Sequence, residues 1–164
     1  MWRIYLAALI GCAMAGCHPV HISSDFVPAE AAHVFKEGRG RIDGQAFLRR
    51  DYGRLVTGAG ERVFLFPATR YAVERFSAMF GGELRSYFGN DVEPTPASYL
   101  HFRRETKVDM TGKFTFEKLW PGRYIVATRI YWREPRSYLT HGGAVYDVVE
   151  VKPDETTAVI LSGK

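Results

Sequence analysis

Chemistry in this chain would have to come from five histidines, scattered carboxylates and a generous set of aromatic rings. His18, His21, His33, His101 and His141 form no H-E-x-x-H or H-x-H arrangement, and none has a carboxylate partner in sequence, so their spacing offers no metal site. His101, between Leu100 and Phe102, is read as a surface residue by alternation. Asp43, Asp51, Asp91 and Asp109 do not fall at the alternate positions of a calcium loop. No serine sits in a G-x-S-x-G elbow, and Gly38-Arg-Gly40 and Gly58-Ala-Gly60 are too short to cradle phosphate. The expectation is a protein that is not an enzyme, with no cofactor, metal or catalytic residue. The aromatics are different, because a flat ring face can stack on a sugar. Tyr124 and Trp132 share one face of a predicted strand and are read as core, with Tyr131 and Tyr146 on neighbouring strand positions. Trp120 and Tyr138 lie at turns and are the candidate binding residues.

The amino terminus speaks to location. Met1-Trp2-Arg3 is a positive start, and Ile4 to Gly16 is apolar, a length that suits a signal-peptide core and is too short to span a bilayer as a helix. Ala15-Gly16-Cys17 places small residues before a cysteine, which resembles a bacterial lipobox. In such a sequence the signal (1–16) is cleaved and Cys17 carries the lipid, palmitate or a similar acyl chain. Met14 stands where leucine is usual. Leu9-Ile-Gly-Cys12 is a competing box, but it would leave an apolar core of only Ile4 to Gly11, so Cys17 is favoured. His18 replaces the aspartate associated with inner-membrane retention, which leans toward the outer membrane. Cys12 and Cys17 are the chain's two cysteines, so the mature protein has no thiol left for a disulfide or a nucleophile.

The elements that must position any site follow from periodicity. Residues 17–37 read as a lipidated amino terminus and tether, with a short helix after Pro28 stopped by Gly38. Phe26, Val34 and Phe35 are expected to pack on the domain or near the membrane. Residues 38–164 form one domain. Ile42, Ala46 and Leu48 alternate inward, and Gly44 suits a bulge or a close approach. Val63-Phe-Leu-Phe66 is apolar on both faces, as in a strand covered on both sides. Tyr71 to Phe80 has helical spacing, with Thr69 as N-cap and Gly81-Gly82 to close it. Residues 81–98, rich in Pro and Asn-Asp, read as a long surface loop. Seven strands are expected, at 41–48, 61–66, 100–108, 113–117, 123–132, 144–151 and 156–161, with Leu100, Phe102 and Val108 as core. That pattern predicts an all-β sandwich carrying one short helical insertion.

The most specific stretch is Asp109-Met-Thr-Gly-Lys-Phe-Thr-Phe-Glu-Lys-Leu-Trp-Pro-Gly-Arg-Tyr124. Asp109 can accept from backbone two residues on, Gly112 supplies positive φ, Phe114 and Phe116 share one face, and Pro121-Gly122 makes the next turn. This block resembles the D-x-x-G-x-F-x-F-x-x-L-x-P-G-x-Y pattern of the carboxypeptidase regulatory-like domains, and Gly40-Arg-Ile-Asp-Gly-Gln-Ala46 resembles their opening strand. The resemblance implies a seven-stranded transthyretin/Ig-like β-sandwich, and it brings no catalytic residue. Against it, residues 69–98 look like an insertion.

The resulting expectation is a lipid-anchored accessory protein of the cell envelope, noncatalytic, with an envelope protein as partner presented to the insertion. The alternative is a carbohydrate-binding module, since transthyretin-like folds resemble starch-binding modules. The net charge of +4 gives weak attraction to anionic surfaces. No Lys/Arg run is long enough for a nucleic-acid footprint.

Overall fold

The turn at Asp109 closes through its own side chain. One carboxylate oxygen accepts the Thr111 N–H at 2.7 Å, the Thr111 hydroxyl at 2.8 Å and the Lys113 N–H at 2.9 Å. These donors, the Lys113 amide foremost, hold the Asp109 carboxyl below its ordinary range. Gly112 adopts φ +85°, a conformation that a side chain resists, so the spacing Asp-x-x-Gly dictates the tight turn into Lys113.

The structure, a computed structural model, describes residues 18–50, 53–86, 89–135 and 138–163. Cys12, Cys17 and the expected signal segment lie outside the described residues. Within them are nine strands in two sheets. The first sheet contains β1 (Glu37–Arg49), β2 (Leu55–Thr57), β6 (Lys113–Leu119) and β9 (Thr156–Leu161). Here β1 pairs antiparallel with β6 and β2, and parallel with β9. The second contains β3 (Arg62–Pro67), β4 (Arg85–Ser86), β5 (Arg104–Lys107), β7 (Gly122–Arg133) and β8 (Thr140–Val151), in the order β4-β8-β7-β3-β5. The all-β sandwich is therefore as expected, with nine strands rather than seven. The two additions are β2, of three residues, and β4, of two, too short to carry a readable alternation.

Between the sheets lies one apolar core. Ile42, Ala46 and Leu48 from β1 are fully buried there, with Phe114 and Phe116 from β6, Tyr124 and Val126 from β7, and Val63 and Leu65 from β3. Trp132 is half-buried against it. Gly44 is a close approach: a Cβ there would lie 2.0 Å from the tip of the Phe114 ring. The bulge falls earlier in β1, where the register shifts between Gly40 and Ile42. Gly38 belongs to β1 and ends no helix; its missing Cβ makes room for the Leu119 carbonyl, 2.1 Å from where it would stand.

A second apolar cluster covers the outer face of the five-stranded sheet. Phe66, Ile125, Ala127 and Tyr146 point outward from β3, β7 and β8. Over them lies α2 (Arg70–Phe80), contributing Tyr71, Ala72, Phe76 and Phe80. The helix starts as its sequence predicts: the Thr69 hydroxyl accepts the Ala72 N–H at 3.2 Å, and Gly81 closes the other end at φ +64°. This cover explains why β3 and β7 are apolar on both faces.

One expected strand is corrected. Of 100–108, only Arg104–Lys107 is strand; Ala97–His101 forms a single helical turn, α3. Leu100, assigned to the core, is 44% exposed, whereas Tyr99 is buried and stacks on Phe66 at 5.3 Å. The chain has to turn across the outer face to deliver Tyr99 under α2, which an extended strand along the edge could not do. His101 is exposed, as expected, and Phe102 half-buried against the inter-sheet core. The remaining β5 residues, Arg-Glu-Thr-Lys, are charged or polar, a composition that discourages pairing at a sheet edge.

The segment after residue 18 is folded onto the domain. Ile22, Ser24, Ala31 and Val34 are buried, Phe26 half-buried, and Phe35 exposed. Pro28–Ala31 forms α1, followed by a 3₁₀ turn at Ala32–Phe35. Glu74 on α2 clamps this segment by accepting the Ser23 N–H and hydroxyl at 2.6 and 2.7 Å and the Ser24 N–H at 3.1 Å, with the Ser24 hydroxyl as a fourth donor. The Ser24 hydroxyl first, then Ser23, hold the Glu74 pKa down from 4.5 to about 2. Because the folded value lies below the unfolded one, the clamp's contribution is complete above about 4.5 and fades as pH falls toward about 2. Amide protection factors at Ser23 and Ser24, taken relative to the unfolded-chain rate at each pH, should therefore fall over that interval, and Glu74→Gln should lower them already at neutral pH. Unchanged protection in the variant would show that the segment is held without the carboxylate.

Candidate binding site at the β6–β7 turn

Leu119 ends β6 as a buried residue and Gly122 starts β7, so Trp120-Pro121 must bridge them at the surface. The turn is pinned from below. Tyr124, buried in the core, donates its hydroxyl to the Trp120 carbonyl at 2.7 Å. Burial pushes the Tyr124 pKa up to about 12, which keeps that donor protonated. Trp120 is 41% exposed, with the Lys36 amino group 5.2 Å from its ring centroid.

A cleft of about 450 Å³ opens beside this indole. Glu30 of α1, His33 of the 3₁₀ turn, Arg70 at the start of α2, and Arg123 of β7 line it. The His33 Nδ1 lies 3.0 Å from the Glu30 carbonyl, to which it can donate only as N–H. In the neutral ring Nε2 is then a bare acceptor, buried with no hydrogen-bond partner among the described residues. The cleft thus joins an aromatic face with arginine and glutamate side chains. Such a set can stack on a ring and hydrogen-bond to hydroxyls around it. Among the described residues, no group of three His, Cys, Asp or Glu is placed to hold a metal ion. His21 instead pairs with Glu93 at 2.6 Å.

The sequence candidates separate in space. Tyr138 is 99% exposed beyond the end of β7, whereas Trp120 precedes its start. A strand of this length rises roughly 36 Å, so the two rings cannot form one platform. Of the other aromatics, Tyr124 and Tyr146 are buried, Tyr131 is half-exposed, and Trp132 stacks on His141 at 5.8 Å. Glu30, His33, Arg70 and Arg123 carried no sequence signal, because their proximity arises only when the residues before β1 fold against the α2 start.

A β-sandwich with an aromatic cleft at a strand turn is what fold and geometry define. The chain matches no protein-family model and no curated protein sequence. Among solved structures, it is similar to a protein of Pseudomonas aeruginosa described as a candidate carbohydrate binding protein. The TM-score is 0.70 at 28% identity, covering 85% of this chain and 98% of that one. A minor pilin of Streptococcus agalactiae is also similar, at 13% identity and a TM-score of 0.41, over 79% of this chain and 45% of the pilin.

Proposed function

We propose that this protein is a noncatalytic carbohydrate-binding module of the bacterial cell envelope, held at the membrane by lipid on Cys17. The observation that carries the reading is the half-exposed Trp120 indole beside a cleft lined by polar and charged side chains. The similarity to a candidate carbohydrate binding protein supports it. Lys36, Arg70 and Arg123 against Glu30 leave the cleft surroundings positive, which favours an acidic polysaccharide. A protein partner docking on residues 69–98 is the weaker reading, since α2 spends Tyr71, Ala72, Phe76 and Phe80 on covering the sheet. The similarity of the Asp109–Tyr124 block to carboxypeptidase regulatory-like domains is part of this proposal, and it agrees with an accessory role.

Titration calorimetry against uronate-containing and neutral oligosaccharides tests the function. Trp120→Ala should cost about 2 kcal/mol, about 30-fold in Kd, as expected of a central aromatic anchor. Affinity for the acidic sugar should fall with added salt. Binding that survives Trp120→Ala undiminished would place the sugar elsewhere, and a protein partner captured without any glycan binding would favour the weaker reading. For the anchor, Cys17→Ala should move the protein from the membrane to the soluble fraction. Continued membrane retention, with no acyl mass on the native protein, would contradict lipidation.

A further inference from the structure

A second cavity, of about 270 Å³, lies between the outer face of the five-stranded sheet and the α2–α3 cover. Its walls are apolar: Phe64 and Phe66 from β3, Phe76 and Met79 from α2, and Leu100, half-exposed, from α3. Among the described residues lining it, the charged ones are all arginines, Arg75 from α2, Arg103 from the link into β5, and Arg129 from β7, with no carboxylate. Three separate elements thus bring cations to one apolar slot. Arg75 donates to the Glu93 carbonyl at 2.8 Å, and Arg103 lies over the Phe64 ring at 4.8 Å; neither that contact nor any ion pair found among the described residues gives Arg103 or Arg129 an acidic partner. Tyr99 lines the same cavity, 3% exposed, and its hydroxyl has no hydrogen-bond partner among the described residues.

We propose that this cavity binds a small anionic amphiphile, in its simplest form a medium-chain fatty carboxylate, with its chain among Phe64, Phe76 and Met79 and its carboxylate on Arg103 and Arg129. Apolar walls reward the chain in proportion to the surface removed from water. A guanidinium fork matches a carboxylate in geometry and charge, and is stronger in a partly dry slot than in bulk water. The volume lies just under the roughly 300 Å³ at which drug-sized pockets begin, so a single short chain fits and a diacyl lipid does not.

Decanoate and decanol distinguish this from nonspecific apolar binding, with the folded domain followed by NMR at Met79 and by calorimetry. Decanoate should bind saturably below its micelle concentration, at least tenfold more tightly than decanol. Arg103→Gln with Arg129→Gln should weaken decanoate about tenfold or more and leave decanol unchanged. Ala127→Leu, which narrows the slot, should remove both; if that variant does not fold, the arginine pair alone carries the test. Sugar binding at Trp120 should be the same in every folded variant, so the two sites succeed or fail separately. Absence of saturation, equal affinity for the acid and the alcohol, or indifference to loss of the arginines would overturn the proposal.

Discussion

Phe116→Ala should destabilise the domain by about 3–5 kcal/mol, the usual cost of removing a buried phenylalanine ring. The ring is 2% exposed, faces Phe114 edge-on at 6.2 Å, and stands opposite Ile42 in the β1–β6 register. Its neighbours belong to two hydrogen-bonded sheets, which leaves little freedom to collapse into the void. A domain of this size has about 5–15 kcal/mol in total, and residues 18–164 contain no cysteine with which to add a disulfide. Urea unfolding should show a much lower midpoint at an unchanged slope. A loss under about 1 kcal/mol would mean that the ring is not central to the inter-sheet core.

Gly44→Val should be comparably damaging, for the opposite reason. A Cβ at Gly44 would stand 2.0, 2.3 and 2.6 Å from three carbons of the Phe114 ring, which is itself buried. Overpacking alone costs about 1–3 kcal/mol, and expelling the ring would add part of the 3–5 kcal/mol of losing it. Trimming the obstacle should help: Gly44→Val with Phe114→Leu should be more stable than additivity predicts, by about 0.5–3 kcal/mol of coupling. Additive effects would show that the damage arises elsewhere, in the β1–β9 pairing for example.

Both predictions come from a part of the molecule that was legible in the sequence. Asp109, Gly112 and the alternation through Phe116 are local signals, satisfied within eight residues. Thr69 and Gly81 frame α2 for the same reason. What could not be read was decided at long range. Tyr99 is buried in place of the expected Leu100 because an aromatic cover must be built over β3 and β7. Glu74 meets Ser23 and Ser24 from 51 and 50 residues away, a clamp that no local signal announces. The site divides likewise. Trp120 was visible as a turn aromatic before Pro121-Gly122, whereas the cleft beside it is assembled from α1, the 3₁₀ turn, the start of α2 and β7. Tyr138 gave the same kind of signal and lies at the other end of β7.

The central claim, that sugar binds at the Trp120 turn, has a direct readout in the indole N–H resonances. Apart from Trp2, in the expected signal segment, the chain holds two indoles, Trp120 and Trp132, and the second is occupied with Glu134 at 3.3 Å. Titrating an acidic oligosaccharide into the nitrogen-labelled domain should shift the Trp120 resonance saturably, together with the backbone amides of Arg70 and Arg123, while Trp132 stays in place. A Trp120 resonance unmoved at saturating sugar, or a shift confined to Trp132 and Tyr138, would contradict the account.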